Sequence, residues 1–356
     1  MKKIIWRKIK PIAYTESEAL LYKHRRNFIL EKDGNIIWKY KKKFNFLDVI
    51  KELNRIFQRA FRQDIRCSCV LNNTIYFVYG KTLYVCDIDK KRIMPITVFA
   101  DGKVPLNIVE SEFEEKYSIL WGEYFANTKR ESVKIYGLNM KNEVEEIYCF
   151  KAGSIRHIHN IISDHKKGYY ILTGDNDKTA GIYYADSKFS IVKPIMVGKQ
   201  KVRAVQGFPY ENGMIYATDS VSSQNYIEYL HFKKEEWVID DIAEINGSCI
   251  YATECKKGFV FSTSVESEEI TEKSRFLSLF SRKRGRGILS DDVCLVLINR
   301  KMELREIVKF KKDRWPYKLF RYGVVMFPVG QKKNDTITIY PIGVKKFDGC
   351  MGIVDI

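Results

Sequence analysis

A strand-like pattern that recurs along the chain constrains this sequence more than any other feature. Residues 118–123 read Ser-Ile-Leu-Trp-Gly-Glu, residues 170–175 read Tyr-Ile-Leu-Thr-Gly-Asp, and residues 214–219 read Met-Ile-Tyr-Ala-Thr-Asp. Residues 259–264, Phe-Val-Phe-Ser-Thr-Ser, form a fainter fourth copy. Asp175 follows Glu123 by 52 residues, and Asp219 follows Asp175 by 44. This spacing is typical of repeated units of four short antiparallel strands.

Short strand-like runs also dominate the rest of the chain. The sequence contains 22 Tyr and 21 Phe, which together with Ile and Val favour strands over helices. No strand–helix–strand alternation recurs, which argues against a parallel α/β sheet. At the observed repeat length, 356 residues make about seven units. The sequence therefore predicts an all-β protein: a β-propeller of seven four-stranded blades, built as a single domain over residues 1–356.

Two segments depart from the repeat. Residues 46–62 carry apolar side chains at helical spacing, so we expect one inserted amphipathic helix, capped by Asn45, that packs on the outside of the sheets. Residues 264–291 form a long insertion after the fourth copy, acidic at its start and basic at its end. We interpret this insertion as a surface loop; a lid, or a basic and apolar patch for an anionic membrane, are the alternatives.

The net charge indicates what kind of partner the chain attracts. The formal charge is +17, which favours anionic partners such as acidic glycans or a membrane surface. Nucleic acid is not expected as a partner, because no nucleic-acid-binding motif accompanies the charge. The first apolar run is too short for a secretion signal, so we expect a cytoplasmic protein, with peripheral membrane contact left open. The eight cysteines match no zinc or redox spacing and are expected to be reduced.

Counting back 16 residues from each carboxylate of the repeat reaches the preceding strand and predicts a geometry. The resulting pairs are Asn107 with Glu123, His159 with Asp175, and Arg203 with Asp219. Each pair spans one antiparallel hairpin, whose two free ends return to the same end of the blade. Because inner strands line the axis of a propeller, we expect all three pairs at one mouth of the central channel. His157 shares a strand face with His159, and Gln200 is expected on the loop above.

Such a cluster contains the groups that acid–base chemistry on a sugar requires. The candidate catalytic residues are His159, Asp175, Glu123 and Asp219. Carboxylates act as acid, base or nucleophile in such reactions, and a histidine exchanges protons near neutral pH. The candidate substrate-binding residues are Arg203, Asn107, Gln200, Trp121 and Tyr124. Arg203 is the expected clamp for a carboxylate or phosphate. The structural alternative for Asp175 and Asp219 is turn capping.

The same residues also leave a metal site open. Two imidazoles at alternate positions of one strand point to the same side, and a carboxylate can complete the set. His157, His159 and Asp175 are therefore candidate ligands of a divalent metal, which would act as a Lewis acid. No other cofactor is indicated, because Gly-rich phosphate loops are absent from the sequence.

At the turns between outer strands, the chain resembles the sialidase-like propellers with Asp-box (BNR) repeats. Their motif is Ser-x-Asp-x-Gly-x-Thr-Trp, of which this chain retains Asp186 and the hydroxyl of Ser190. Asn139 and Asn299 lie at corresponding points. The chain is also similar to small BNR-type proteins of the glycosyl-hydrolase-like class, through Trp-Gly-Glu-Tyr at 121–124, His-Ile-His at 157–159, Gly-Asp at 174–175 and Gln-Lys-Val-Arg at 200–203. The arginine triad and the Tyr/Glu nucleophile pair of sialidases have no counterpart that we can place. The resemblance therefore implies a propeller and carbohydrate chemistry, without a defined reaction.

These observations lead to two hypotheses. The first is a carbohydrate-active propeller, similar to a glycoside hydrolase or polysaccharide lyase, that acts on or binds an acidic saccharide or glycan precursor at one mouth of the channel. The second is a non-catalytic scaffold that binds an anionic protein, glycan or membrane surface. Polar side chains that converge at one mouth favour the first hypothesis. The same side chains each bonded to their own loop favour the second.

Overall fold

The chain folds into seven antiparallel sheets of four strands each, arranged in a ring. The computed structural model describes residues 4–42, 46–113, 115–166, 168–267, 279–332 and 334–356. The predicted all-β propeller with seven four-stranded blades is confirmed.

Each blade runs from an inner strand near the axis of the ring to an outer strand at its rim. Blade 1 contains β2 (Lys10–Tyr14), β3 (Leu20–His24), β4 (Asn27–Lys32) and β5 (Asn35–Lys41). Blade 2 contains β6 (Ile65–Leu71), β7 (Thr74–Tyr79), β8 (Thr82–Asp87) and β9 (Arg92–Val98). Blade 3 contains β10 (Val109–Glu110), β11 (Tyr117–Gly122), β12 (Val133–Asn139) and β13 (Val144–Phe150). Blade 4 contains β14 (His157–Ser163), β15 (Gly168–Gly174), β16 (Gly181–Asp186) and β17 (Val192–Val197).

The remaining blades complete the ring. Blade 5 contains β18 (Ala204–Tyr210), β19 (Gly213–Thr218), β20 (Asn225–Lys233) and β21 (Glu236–Ile245). Blade 6 contains β22 (Cys249–Cys255), β23 (Gly258–Thr263), β24 (Asp292–Asn299) and β25 (Leu304–Lys311). Blade 7 contains β26 (Val324–Met326), β27 (Thr336–Ile342), β28 (Met351–Asp355) and, as its outer strand, β1 (Ile5–Arg7) from the other end of the chain. The ring is thus closed by pairing the first strand with the last.

The core lies between blades, as alternating strands require. Buried residues of blade 3 such as Leu120 and Ile135 pack against Ile158 and Ile171 of blade 4, and equivalent clusters join other neighbouring blades. Every inner strand begins at the same end of the ring, which we call the upper mouth. The hairpins between the second and third strands of each blade return to this end because the strands are antiparallel.

The turns between the outer strands show what the Asp-box-like residues do. Asp186 Oδ1 accepts the backbone N–H of Ile191 at 2.6 Å, at the turn between β16 and β17. Asn139 and Asn299 cap the equivalent turns of blades 3 and 6, each accepting two backbone N–H groups. These side chains therefore hold turns at equivalent positions of their blades, which is a structural role.

The predicted helix over residues 46–62 is two short helices, and its orientation differs from the expectation. The helices are α1 (Phe46–Lys51) and α2 (Arg55–Ala60), and Asn54 caps α2 by accepting the Phe57 N–H at 3.1 Å. The predicted cap, Asn45, lies outside the described residues. The apolar stripe does not pack on the sheets: the exposed fractions are 78% for Phe46, 68% for Leu53 and 46% for Ile56.

The reason for this orientation is the polar face of the two helices. Glu52 pairs with Lys23 at 2.9 Å, Arg55 pairs with Asp64 at 2.9 Å, and Arg59 pairs with Asp313 at 2.5 Å. Side chains that must satisfy these buried charges face the propeller. The apolar side chains are left on the outside.

The insertion at 264–291 connects β23 to β24 and so lies at the upper mouth. Its described ends are anchored: Val265 forms an antiparallel bridge with Gly323, and the Gly287 N–H bonds to the Val221 carbonyl. Residues 268–278, which include part of the apolar stretch expected to form a lid or membrane patch, lie outside the described residues. Another short helix, α3 (Tyr317–Phe320), precedes β26. None of the described helices is long and apolar enough to cross a membrane. All eight cysteines are free thiols.

Candidate metal and ligand site

Two histidines and an aspartate meet at the upper mouth in blade 4. His157 and His159 belong to the first residues of the inner strand β14, and Asp175 follows the end of β15. The register of the two strands shifts between Ile158 and Asn160, which marks a β-bulge around His159. A bulge re-aims side chains locally. Both imidazoles thereby reach the same carboxylate.

The three side chains form a nearly equilateral triangle of polar atoms. His157 Nε2 and His159 Nε2 are 3.1 Å apart, and each lies 3.1 Å from Asp175 Oδ1. Both histidines are 2% exposed. This is the arrangement that the 16-residue register predicted for the pair His159 and Asp175, and it brings His157 into the same cluster.

The other nitrogen of each imidazole fixes its tautomer. His157 Nδ1 lies 2.9 Å from the Phe125 carbonyl oxygen, and His159 Nδ1 lies 2.8 Å from the Ala204 carbonyl oxygen. A carbonyl oxygen only accepts, so both Nδ1 atoms must carry hydrogen. In the neutral imidazoles both Nε2 atoms are then unprotonated lone pairs. Two nitrogen lone pairs therefore face a carboxylate oxygen.

Asp175 is held as an anion by the groups around it. Burial disfavours the charged carboxylate, but hydrogen bonds and charges from His157 and His159 outweigh this effect, so the pKa of Asp175 lies well below its usual value. Arg156 Nη1 contacts the second carboxylate oxygen at 3.0 Å. Burial lowers the pKa of His159, with partial compensation by Asp175. The cluster therefore favours neutral imidazoles around an ionised carboxylate.

The predicted pair Arg203 and Asp219 also meets at this mouth. Arg203 Nε lies 3.7 Å from Asp219 Oδ2, and Arg203 Nη2 lies 3.9 Å from Asp175 Oδ1. Gln200, in a short 3-10 turn, donates from Nε2 to the Asp175 carbonyl oxygen at 3.3 Å. Its Oε1 is buried without a hydrogen-bond partner among the described residues. Gln200 thus presents an unused acceptor close to Asp175.

Blade 6 adds a pair with the same spacing that sequence reasoning missed. Ser248 and Ser264 are 16 residues apart, and their hydroxyl oxygens are 2.7 Å apart. Both donate to Glu266 Oε1, at 2.8 Å from Ser248 and 2.5 Å from Ser264. Burial raises the pKa of Glu266, with Arg203 and Asp175 as the charged neighbours. The fourth copy of the repeat, which ends at Ser264, was the signal that could have found this carboxyl group.

Tyr124 forms an aromatic platform next to the histidines. Its ring centroid lies 4.4 Å from that of His157, and burial raises the pKa of its hydroxyl to about 12. The Arg66 guanidinium lies over the opposite part of this platform, 5.5 Å from the ring centroid. Arg66 and Arg156 were missed by the sequence analysis. Both lie next to the start of an inner strand, so extending the register argument to every blade would have found them.

Three of the predicted site residues take other positions. Glu123 accepts from Lys103 Nζ and from the Lys134 backbone N–H, both at 3.0 Å, so its carboxylate is engaged within blade 3. The expected contact between Asn107 and Glu123 is not formed. Asn107 instead accepts from Gln206 at 3.0 Å. Trp121 is 2% exposed and stacks on Tyr136 in the core between blades 2 and 3.

The largest cavity among the described residues is the central channel, with a volume of about 920 Å³. Its wall includes Arg66, Asn107 and Tyr251 but not the side chains of the histidine cluster. Asn160 also donates to Gln206, at 3.2 Å, so amide side chains link blades 3, 4 and 5 in the channel wall. Because the triangle contains the chemistry, we assign the candidate site to the mouth rather than to the whole channel.

Comparisons with known proteins identify the fold class. A chain of the mitotic checkpoint complex is 7% identical over 100% of this chain and 94% of that chain, with a TM-score of 0.54. BamB from Moraxella catarrhalis is 9% identical over 99% and 98%, with a TM-score of 0.50. An oligogalacturonate lyase from Vibrio parahaemolyticus is 10% identical over 99% and 98%, with a TM-score of 0.47.

These likenesses show a seven-bladed propeller and do not select a function. Some 734 chains of known structure match, and those named above differ in what they do. No family model matches the chain, and no curated protein matches it. Membership of the sialidase-like Asp-box family is therefore not supported.

Proposed function

We propose that the protein is a metal-dependent, carbohydrate-active propeller that takes an acidic saccharide at its upper mouth. The observation that carries this proposal is the triangle of His157, His159 and Asp175. Three acceptor atoms face one another at 3.1 Å while both Nδ1–H groups are committed to carbonyl oxygens. Such a concentration of lone pairs is stabilised by a cation placed between them.

The triangle has the dimensions that a first-row divalent ion requires. With bonds of about 2.1 Å, ligand atoms are about 3.0 Å apart at adjacent octahedral positions and about 3.4 Å apart in a tetrahedron. The observed separations of 3.1 Å fall within this interval. Two imidazoles and one carboxylate leave coordination positions for water or substrate, which is typical of catalytic rather than structural metal sites.

The surrounding residues support action on an anionic sugar. A bound metal would polarise an oxygen of the substrate as a Lewis acid. Arg203 lies next to Asp175 and can clamp an acidic group. Glu266, whose pKa is raised by burial, is the candidate proton donor to a leaving oxygen. A glycosidase-like reaction adds water across the glycosidic bond, whereas a lyase-like reaction removes a proton next to the carboxylate and leaves a double bond.

Metal binding by the purified protein tests the proposal directly. We expect stoichiometric binding of Mn²⁺ or Zn²⁺ in titration calorimetry. His159→Ala and Asp175→Asn should weaken it about tenfold to a hundredfold, because each removes one of three ligands. His165→Ala is the matched control, since His165 has an exposed side chain and contacts Ser163 and Glu112 instead. Equal metal binding by the wild type and the ligand variants would contradict the proposal.

Product analysis separates the two reaction types. The metal-loaded protein is screened on acidic oligosaccharides, and products are examined by mass spectrometry. A mass increase by one water indicates hydrolysis, whereas an unsaturated sugar end indicates elimination. If neither product forms but the saccharide binds, the carbohydrate-binding part of the proposal stands and its enzymatic part fails.

A second candidate function, a scaffold for an anionic protein, glycan or membrane surface, is supported by a different observation. Phe46, Leu53 and Ile56 are exposed on and between α1 and α2 in a chain with a formal charge of +17. Apolar side chains with surrounding positive charge are suited to anionic interfaces. Cosedimentation with phosphatidylserine vesicles that is abolished by Leu53→Glu and Ile56→Glu, in a protein that binds no metal, would favour this candidate.

A further inference from the structure

Three arginines converge at the upper mouth from separate segments of the chain. Arg62 follows α2, Arg66 is the second residue of β6, and Arg321 directly follows α3. Arg62 has neighbouring positive charges from both Arg66 and Arg321, and together with burial these lower its pKa. The structure thus concentrates like charges in one region of the mouth, next to Tyr124 and Tyr322.

The three guanidinium groups have few anionic partners. The Arg62 side chain makes no hydrogen bond or ion pair with a described residue. Arg66 donates from Nε to the Pro105 carbonyl oxygen at 2.7 Å, and its charge has no carboxylate partner within the described chain. Arg321 Nη1 contacts Asp64 Oδ2 at 3.3 Å, while its buried Nε has no hydrogen-bond partner in the part of the chain that the structure describes.

The single nearby carboxylate, Asp64, is already shared. It accepts from Arg55 at 2.9 Å and lies 3.7 Å from Lys10 Nζ. One carboxylate therefore faces three cationic side chains at this position, counting Arg321. Unpaired guanidinium groups held close together repel one another, and a bound anion relieves that repulsion.

Tyr124 connects this arginine cluster to the proposed metal site. The Arg66 guanidinium lies 5.5 Å from the centroid of the Tyr124 ring, and the ring centroid of His157 lies 4.4 Å from the same ring. Little more than one aromatic ring separates the two positions. A sugar ring stacked on Tyr124 would have one group near the histidines and another near Arg62 and Arg66.

We infer that Arg62, Arg66 and Arg321 form a second anionic subsite, and that the ligand is therefore an oligosaccharide with acidic groups on at least two sugar units. This inference rests on the proposed function for the identity of the ligand. The subsite itself rests only on the unpaired guanidinium groups. Carboxylate and sulfate groups share the required chemistry, since both accept paired N–H donors from arginine.

The first experiment tests the subsite without any sugar. Thermal unfolding is followed with increasing sulfate at constant ionic strength, for the wild type, Arg62→Ala, Arg62→Ala/Arg66→Ala and the control Arg305→Ala. Arg305 is an exposed arginine of β25, remote from the mouth. We expect sulfate to raise Tm in the wild type and Arg305→Ala and to have clearly less effect in the two mouth variants. Equal responses in all four proteins overturn the subsite.

The second experiment tests the ligand. Calorimetry compares galacturonate with digalacturonate on the metal-loaded protein. We expect the wild type to bind the disaccharide about tenfold more tightly than the monosaccharide. Arg62→Ala should remove most of this difference and leave the affinity for the monosaccharide and for Mn²⁺ unchanged. Equal losses for both sugars overturn the second subsite as a determinant of chain length.

The two proposals fail in distinguishable ways. If the protein binds sulfate through Arg62 and Arg66 but binds neither metal nor uronate, the proposed function and the oligosaccharide inference are both overturned, and only the anion site stands. If metal and galacturonate bind but the mouth variants behave like the wild type, the proposed function stands and the further inference is overturned.

Discussion

At the residue scale, the triangle of polar atoms depends on one glycine. A Cβ atom on Gly174 would lie 2.1 Å from His159 Cε1, far closer than two carbon atoms approach without a bond. The imidazole of His159 therefore occupies the space that any other residue at position 174 would fill. Its Nδ1 bond to the Ala204 carbonyl oxygen leaves the ring little freedom to move away. Gly174 is in this sense part of the site, although it has no side chain.

Gly174→Ala tests this dependence. We expect a loss of Mn²⁺ affinity of about tenfold or more in calorimetry, because His159 is displaced from the triangle. The matched control is Gly137→Ala in β12, where the new Cβ meets Ile147 and Tyr117 in blade 3, with nearest atoms 2.6 and 2.7 Å away. Both variants should lose stability by about 1–3 kcal/mol. A Gly174→Ala protein that binds metal like the control would show that His159 is not a ligand.

Glu228 is a second residue whose surroundings determine a measurable property. Its side chain is fully buried in β20, both oxygens lack a hydrogen-bond partner among the described residues, and burial raises its pKa to about 9. The usual value is 4.5, so the folded state binds a proton that the unfolded state has released between about pH 4.5 and 9. Stability therefore decreases as pH rises through this interval.

We expect Glu228→Gln to remove much of that pH dependence. Urea denaturation of the wild type should show a free energy of unfolding that falls by a few kcal/mol from about pH 5 to about pH 9. In Glu228→Gln the decline should be smaller, because the buried group no longer ionises. Glu236→Gln, an exposed residue of β21, is the control and should follow the wild type. Parallel curves for Glu228→Gln and wild type would mean that Glu228 ionises normally.

At the scale of elements, α1 and α2 reverse the usual relation between helix face and burial. Their apolar side chains are exposed, whereas Arg59 is 4% exposed and donates to the Phe320 carbonyl oxygen at 2.7 Å as well as pairing with Asp313. The helices are therefore attached to the propeller through charge pairs. Hydrophobic contacts contribute less to their attachment than the sequence pattern suggests.

This reversal predicts an unusual ranking of substitutions. Arg59→Ala should lower the free energy of unfolding by about 2–4 kcal/mol, since it leaves Asp313 buried with fewer partners. Leu53→Ala and Ile56→Ala, at the exposed positions, should change it by less than about 0.5 kcal/mol. Chemical denaturation of the three variants measures the ranking. The opposite order would mean that the apolar stripe is covered in solution, for example by a second molecule.

The strands and turns were predictable because their signals are local. Strand alternation, a repeat of 44–52 residues and turn-forming residues such as Asp186 together define four-stranded blades. The face that a short helix buries is a different matter, because it depends on charges elsewhere in the chain. Asp313 and Asp348 are distant in sequence from Arg59 and Arg55, so the periodicity of residues 46–62 alone gave the wrong orientation.

At the scale of the whole molecule, the ring converts a sequence spacing into a site. A separation of 16 residues places two side chains at the same end of a blade, and closure brings neighbouring blades to one mouth. This rule predicted His159 with Asp175 and Arg203 with Asp219, and it also describes Ser248 with Ser264. It could not predict that Glu123 bonds to Lys103 and Tyr136, because side-chain direction is decided by partners that spacing does not identify.

Ring closure itself depends on the short strand β1, and Trp6 is its main side-chain anchor. The Trp6 ring stacks on Phe347 with centroids 4.1 Å apart and covers Gly352 on the opposing strand β28. We expect Trp6→Ala to lower the free energy of unfolding by about 2–4 kcal/mol, because β1 then has little to hold it in blade 7. Ile5→Ala is the matched control: Ile5 is adjacent on the same strand but 62% exposed, so its loss should stay below about 1 kcal/mol. Hydrogen exchange of the β28 amides should accelerate in Trp6→Ala alone. If the two variants are equally stable, closure does not depend on Trp6, and the rest of blade 7 holds the ring together without it.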